Sequence, residues 1–223
     1  MSIDLSQLAA QLIKGNAEQV SLLTRQALDE GVSPQDVLQK GLLAGMAIVG
    51  QQFRDNVIFL PEVLVRARAM KAGMEHLEPL LAASGVEPVG RFVIGTVKGD
   101  IHDIGKNLVT MMLRGAGIQV IDLGINVTAQ QFIDAVAEHK PDIIGMSALL
   151  TTTMVQMKVN MDAFQKAGVL DRTRVMVGGA PVTKEYAHSI GANGYAANAS
   201  TAVTRALELI AESRAVRNAV QHA

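Results

Sequence analysis

Arg91-Phe92-Val93-Ile94-Gly95-Thr96-Val97, followed at once by Lys98-Gly99-Asp100-Ile101-His102-Asp103-Ile104-Gly105, is the stretch that decides the fold. The first seven residues form a short, apolar, strand-like run, and a helical pattern takes over from about residue 106 to 115. A continuous apolar strand that turns straight into a helix is the start of a βα unit in a parallel sheet. The alternation recurs downstream: strand-like runs at 119–123, 143–147 and 174–177 precede helical stretches at 128–139, 153–167 and 183–190. Gly194-Tyr195-Ala196 makes a short last strand, and Ser200 reads as the cap of a closing helix to about Ser213. Five such units predict a five-stranded parallel sheet covered on both faces, in a flavodoxin-like order rather than a longer dinucleotide-binding one. In that order the turn after the first strand lies at the switch point, where open α/β sheets bind ligands, and His102 is in that turn.

Upstream of this domain the period changes to that of helices. Helices are expected at 4–14 and 17–30, the second with Val20, Leu23 and Ala27 on one face. Ser33 has the character of an N-cap, with Pro34 at the first helical position and Asp36 in the first turn. Leu38, Leu42, Met46, Val49 and Phe53 then fall three or four apart, and a break follows at 54–58. Pro61 opens a fourth helix, in which Val63, Ala67, Met70, Met74, Leu77 and Leu81 form a bundle-type seam. The expected organisation is a four-helix bundle over residues 1–84, a linker over 85–90 and an α/β domain over 91–223. The linker's small residues, Pro88 and two glycines have the composition of a hinge.

Composition excludes several classes of function. The formal net charge is −1, which gives no electrostatic footprint for nucleic acid. There is no apolar run of membrane-spanning length and no signal-peptide pattern at Met1-Ser2-Ile3-Asp4-Leu5, so a cytoplasmic location is expected. The absence of cysteine removes disulfides, thiolate metal sites and cysteine nucleophiles together. Trp is absent and aromatics are 3% of the chain, so the core must be aliphatic. Neither Gly-x-x-x-x-Gly-Lys-Ser/Thr nor Gly-x-Gly-x-x-Gly is present where a P-loop or nicotinamide site would need it. His76, His139, His188 and His222 have no partners at ligand spacing and read as structural or solvated.

His102 is different, because a carboxylate two residues earlier can orient its ring and tune its basicity, as outer-shell acids do for metal-bound histidines. A lone Asp-x-His in a loop can also be a surface hydrogen bond or a helix cap. Gly145-Met146-Ser147-Ala148-Leu149-Leu150-Thr151-Thr152-Thr153 straddles the end of the third strand and the next helix, and ordinary Thr capping accounts for one of its hydroxyls, not for the cluster. Val177-Gly178-Gly179-Ala180-Pro181 reads as a strand-ending turn that requires positive φ, or as backbone kept bare for a ligand's approach.

Taken in series, these three segments resemble the cobalamin-binding signature, Asp-x-His-x-x-Gly followed by Ser-x-Leu and Gly-Gly. The match runs from Val97 to Asn107, well past the key positions. Phe59-Leu60-Pro61-Glu62-Val63 and the segment from Met70 to Leu80 are similar to the helical cap of methionine synthase and of corrinoid methyl-carrier proteins. The resemblance covers residues 4–212 and implies the following. His102 is the axial ligand of cobalt in place of the cofactor's own base, tuned by Asp100, with Gly99, Ile101, Asp103 and Gly105 around it. Ser147 and Thr151 hydrogen-bond the displaced nucleotide tail, Leu149 lines its channel, and Gly178, Gly179 and Ala199 lie along it. Thr153 falls where relatives carry a Ser that bonds the Asp–His pair. Phe59 and Leu60 meet the upper face of the corrin, under a cap that swings aside.

The function implied is that of a carrier subunit of a multi-component methyltransferase. Its cofactor would be cobalamin, passing through methylcobalamin, cob(I)alamin and cob(II)alamin. Its expected partners are a substrate-specific methyltransferase, a folate- or thiol-dependent methyltransferase and a reductive activator protein. A cobalamin-dependent sensor, a cobalamin storage or delivery protein and a mutase subunit are the rival readings. No complete active site is expected in the chain alone.

Overall fold

Strand β1 (Gly90–Thr96) hydrogen-bonds on both sides, to β2 (Ile118–Asp122) and β3 (Ile143–Ser147), in the computed structural model, which describes residues 4–83 and 88–221. With β4 (Arg174–Gly178) and β5 (Gly194–Ala196) the order is β2-β1-β3-β4-β5, all parallel, as the five-unit pattern predicts. The reversal of direction between β1 and β3 is the switch point of this order.

The chain divides into two compact units, Met1–Glu87 with Gly115–Gly117, and Pro88–Arg114 with Ile118–Ala223. In the first, α1 (Leu5–Lys14) and α2 (Ala17–Asp29) are followed by α3 (Pro34–Asp36), a widened π-helical stretch (Val37–Leu43) and α4 (Ala44–Arg54), which run on as one helix. Then comes α5 (Leu60–Ala83). Ser33 caps α3 by accepting from the Asp36 amide, with Pro34 at the first helical position, as expected. The seam on α5 buries Val63, Ala67, Met70 and Leu77. Gly41 and Gly73 let helices approach closely: a Cβ would lie 2.6 Å from Leu8 Cδ2 at Gly41 and 2.9 Å from Leu42 at Gly73. His76 is used structurally here, its Nε2 2.8 Å from Ser21 Oγ. On α2, Thr24 takes a fully buried place while Leu23 is only half-buried, and the π-helical stretch has no counterpart in the sequence reading.

In the α/β unit two separate apolar clusters cover the sheet. One packs Val93, Val97, Ile144, Met146, Val175 and Val177 beneath α7 (Ala129–His139), α8 (Thr151–Lys166) and α9 (Lys184–Ser189). The other packs Phe92, Ile94, Ile143 and Met176 beneath α6 (Ile104–Gly115) and α10 (Ala199–Gln221). Fully burying such side chains stabilises by about 1.5–3 kcal/mol each, which fixes the sheet as the rigid base of the site. Phe132 of α7 meets Phe164 of α8 edge to face, with centroids 6.0 Å apart.

Some boundaries differ from the sequence reading. Gly90, placed in the linker, is the first residue of β1, where a Cβ would lie 2.4 Å from Ile210 Cδ1 and require that side chain to move. Residues 85–87 of the predicted linker lie outside the described residues. Helix α8 starts at Thr151 rather than Thr153, with Leu150 in extended conformation before it and no side-chain cap. Helix α10 starts at Ala199 and continues to Gln221, past the expected end. Its cap is Asn198, whose Oδ1 accepts from the Thr201 amide; the Ser200 hydroxyl only donates to Asn198. Among the described residues no helix is long and apolar enough to cross a membrane.

Candidate functional site

Beyond Thr96 the chain leaves the sheet, and Gly99 turns it at φ +80°, in the left-handed region that glycine enters without strain. This turn lowers Asp100 into the protein, where it is 1% exposed. Its carboxylate accepts four hydrogen bonds. Oδ1 takes the His102 amide at 3.0 Å and His102 Nδ1 at 2.8 Å. Oδ2 takes the Leu149 amide at 2.8 Å and the Thr153 hydroxyl at 2.6 Å.

Burial by itself would raise the Asp100 carboxyl. The bonds from Thr153, the His102 amide, the Leu149 amide and the His102 ring together outweigh it and hold the group well below the usual carboxylate range. An ionised carboxylate can only accept, so the proton of the Asp100–His102 contact sits on Nδ1. In the neutral ring the lone pair is then on Nε2. The His102 side chain is 46% exposed, and Nε2 has no protein partner among the described residues. Thr96 Oγ1 donates to the His102 carbonyl at 2.9 Å and fixes the backbone beneath the ring. The result is an outward-facing imidazole nitrogen held ready for a Lewis acid.

The surroundings suit a broad apolar ligand. Ile101 and Ile104, on either side of His102, are 70% and 79% exposed, and Leu149 is 43% exposed. Gly105 has ordinary backbone geometry, and a Cβ there would meet nothing within 4 Å, so the fold itself does not require glycine at that position.

Ser147 ends β3, paired with Thr96 and Gly178, and its carbonyl accepts from the Val97 amide. Its hydroxyl, and that of exposed Thr151, have no hydrogen-bond partner among the described residues. None of the three threonines caps α8, so simple capping does not explain the cluster. Gly178 and Gly179 are needed by the fold itself. A Cβ would lie 2.9 Å from the Ala196 carbonyl oxygen at Gly178, and 1.8 Å from that of Ala148 at Gly179, whose φ is +128°. Ala199 is 4% exposed and offers little side-chain surface. Asp103 is occupied at the start of α6, accepting from the side chain and amide of Asn107. Phe59 (62% exposed) and Leu60 belong to the helical unit and are not part of the Asp100 network.

Thus Asp100, His102 and Thr153 come together as the sequence reading expects, and Gly99 makes the turn that lowers Asp100. Thr96, the Leu149 amide and the Lys106–Asp122 pair were not foreseen. Lys106 is 3% exposed and donates to both Asp122 oxygens, at 2.7 and 2.6 Å, tying α6 to the end of β2. A lone acid ending an otherwise apolar strand was the signal for it, since a buried Lys requires a partner.

Fold and site together define a doubly wound ligand-binding unit that presents a carboxylate-oriented histidine at its switch point. Two family models, each described as a B12 binding domain, match residues 90–205 and 5–78. A corrinoid protein of Desulfitobacterium hafniense is 41% identical over 209 residues, covering 92% of this chain and 97% of that one. The dimethylamine corrinoid protein of Methanosarcina barkeri is 43% identical over 209 residues, covering 93% and 97%. Among solved structures, the methanol:cobalamin methyltransferase complex of Methanosarcina barkeri contains a chain that superimposes with a TM-score of 0.81 at 33% identity, covering 92% of this chain and 78% of that one. The chain belongs to the B12-binding corrinoid proteins, and its cofactor is cobalamin. The free Nε2, the exposed isoleucines and the open space at Gly105 fit that group.

Proposed function

We propose that this chain carries a methyl group on base-off, histidine-ligated cobalamin between a substrate-specific methyltransferase and a second, folate- or thiol-dependent one. The observation that carries the reading is the His102 Nε2 left without a partner among the described residues, at the switch point, by a ring whose other nitrogen is locked on Asp100. Bound cobalamin supplies a cobalt centre that accepts a methyl group and gives it up. The protein's part is to hold and tune. His102 would present one ring nitrogen to the metal. Asp100, held ionised by its four donors, fixes the tautomer and the orientation of that ring. Thr153 and the Leu149 amide keep Asp100 in place.

Ser147 and Thr151 are the hydroxyls that receive the cofactor's displaced tail, and Leu149 is its apolar neighbour. Phe59 and Leu60, exposed on the helical unit, would offer apolar surface to the ring. The names of relatives, which include methylamine corrinoid proteins and a methanol:cobalamin methyltransferase complex, support a small methylated compound as the donor. A reductive activator completes the set of partners.

The reconstituted, reduced protein should take up radiolabelled methyl from its donor in the presence of a methylamine- or methanol-specific methyltransferase. The label should stay with the chain through gel filtration and leave on addition of the second methyltransferase with folate or thiol. Transfer of the whole cofactor to a partner would instead identify a delivery protein. The tail assignment is tested separately by Ser147→Leu. Overpacking a fitted site costs about 1–3 kcal/mol, roughly one to two decades of cobalamin affinity. Cobinamide, which has no nucleotide tail, should bind as before; equal losses for both ligands would remove Ser147 from the tail site.

A further inference from the structure

We propose that Asn126, in the loop between β2 and α7, is the positioning residue that sets the Asp100–His102 turn; this rests on the reading of His102 as the metal ligand. Asn126 grips Gly99 and Asp100, three and two residues ahead of the histidine. Its Oδ1 accepts from the Gly99 amide at 2.8 Å, and its own amide donates to the Asp100 carbonyl at 3.0 Å. It does so at φ 55°, in the left-handed region that asparagine tolerates better than most side chains.

The loop that carries it is itself anchored at both ends of the turn. The Thr96 amide donates to the Gly124 carbonyl, and the Val127 amide returns a bond to the Thr96 carbonyl. Asp122 binds Lys106 on α6 and accepts from the Gly124 amide. The Asp100 amide donates to the Val97 carbonyl at 3.1 Å and Thr96 Oγ1 holds the His102 carbonyl, so each of these bonds fixes one point of the turn. Asn126 holds two of its groups at once, the Gly99 amide and the Asp100 carbonyl, and so sets the tilt of the peptide from which the carboxylate projects. A tilt there moves Oδ1, then His102 Nδ1, then the direction of Nε2.

Three variants separate the side chain from the backbone strain. Asn126→Gly keeps the left-handed backbone and loses the acceptor. Asn126→Asp keeps both. Asn126→Ala loses the acceptor and adds strain. In cofactor-free protein, NMR should show faster solvent exchange of the Gly99 amide and of the His102 Nδ1 proton in Asn126→Gly, by about fivefold, the worth of one hydrogen bond. Asn126→Asp should stay within about twofold of wild type. In protein loaded with cob(II)alamin, the nitrogen-ligated fraction should fall in Asn126→Gly and return in Asn126→Asp, with thermal midpoints unchanged between the two.

Wild-type exchange at both protons in Asn126→Gly would overturn the positioning role, whatever ligates cobalt. Fast exchange in that variant, with no histidine nitrogen on cobalt even in wild type, would leave the clamp standing and defeat the ligand reading on which its purpose rests.

Discussion

Asp100→Asn is expected to weaken nitrogen ligation of cobalt about 10- to 100-fold, the usual consequence of removing the partner that orients a metal-bound histidine. The carboxamide cannot satisfy the four donors around it. With its oxygen toward His102, its NH2 faces the Leu149 amide, which is left without an acceptor at a cost of about 1–3 kcal/mol. The Thr153 hydroxyl can turn to the Leu150 carbonyl, 3.0 Å away, so the loss there is small. With the amide flipped, both His102 donors lose their acceptor. Stability carries a second signature of the same residue. The carboxyl is held below its ordinary value of 3.8, so its contribution is full above that value and is lost as pH falls through the lower folded value. The gap in urea midpoint between wild type and Asp100→Asn should narrow as the pH falls below 3.8. Both tyrosines, Tyr186 and Tyr195, lie in the α/β unit, so tyrosine fluorescence reports this transition selectively. A gap that does not narrow below pH 3.8 would contradict an Asp100 held ionised by its neighbours.

Gly179→Ala should be among the most destabilising single changes in the chain. The new methyl would lie 1.8 Å from the Ala148 carbonyl oxygen at a φ of +128°, with backbone rather than a flexible side chain as its neighbour. Strain of this kind and overpacking each cost about 1–3 kcal/mol, so a loss of about 2–6 kcal/mol is expected. Gly105→Ala is the contrast. Its methyl enters open space on a helix, where alanine is favoured over glycine by about 1 kcal/mol. The variant should be at least as stable as wild type and yet bind cobalamin more weakly. Equal affinity in Gly105→Ala would mean that the cofactor does not use that space.

The sheet was readable because its strands are continuous apolar runs closed by turns, a pattern that two packed faces impose directly. The site was readable in its chemical groups and less so in its supports. Asp100 and His102 stand two residues apart in one turn, so spacing alone shows that they can meet. Thr153 is 53 residues from Asp100, and only the resemblance suggested it. The Leu149 amide, the Thr96 hydroxyl and Asn126 act through backbone groups or across strand ends, where neither residue type nor spacing signals the contact. The closing helix shows a local failure of the same kind. Asn198 and Ser200 both suit a cap, and only the fold selects Asn198. Gly178 and Gly179 read as either structural or ligand-facing; the neighbouring carbonyls explain both glycines without the cofactor.

The central claim, that His102 is the nitrogen ligand of cobalt, is tested most directly by electron paramagnetic resonance of cob(II)alamin bound to protein labelled with 15N in its histidines. The three-line nitrogen splitting expected of unlabelled protein should become a two-line splitting in the labelled one, and His102→Ala should abolish it. An unchanged three-line pattern in the labelled protein, or a nitrogen splitting that survives in His102→Ala, would contradict it.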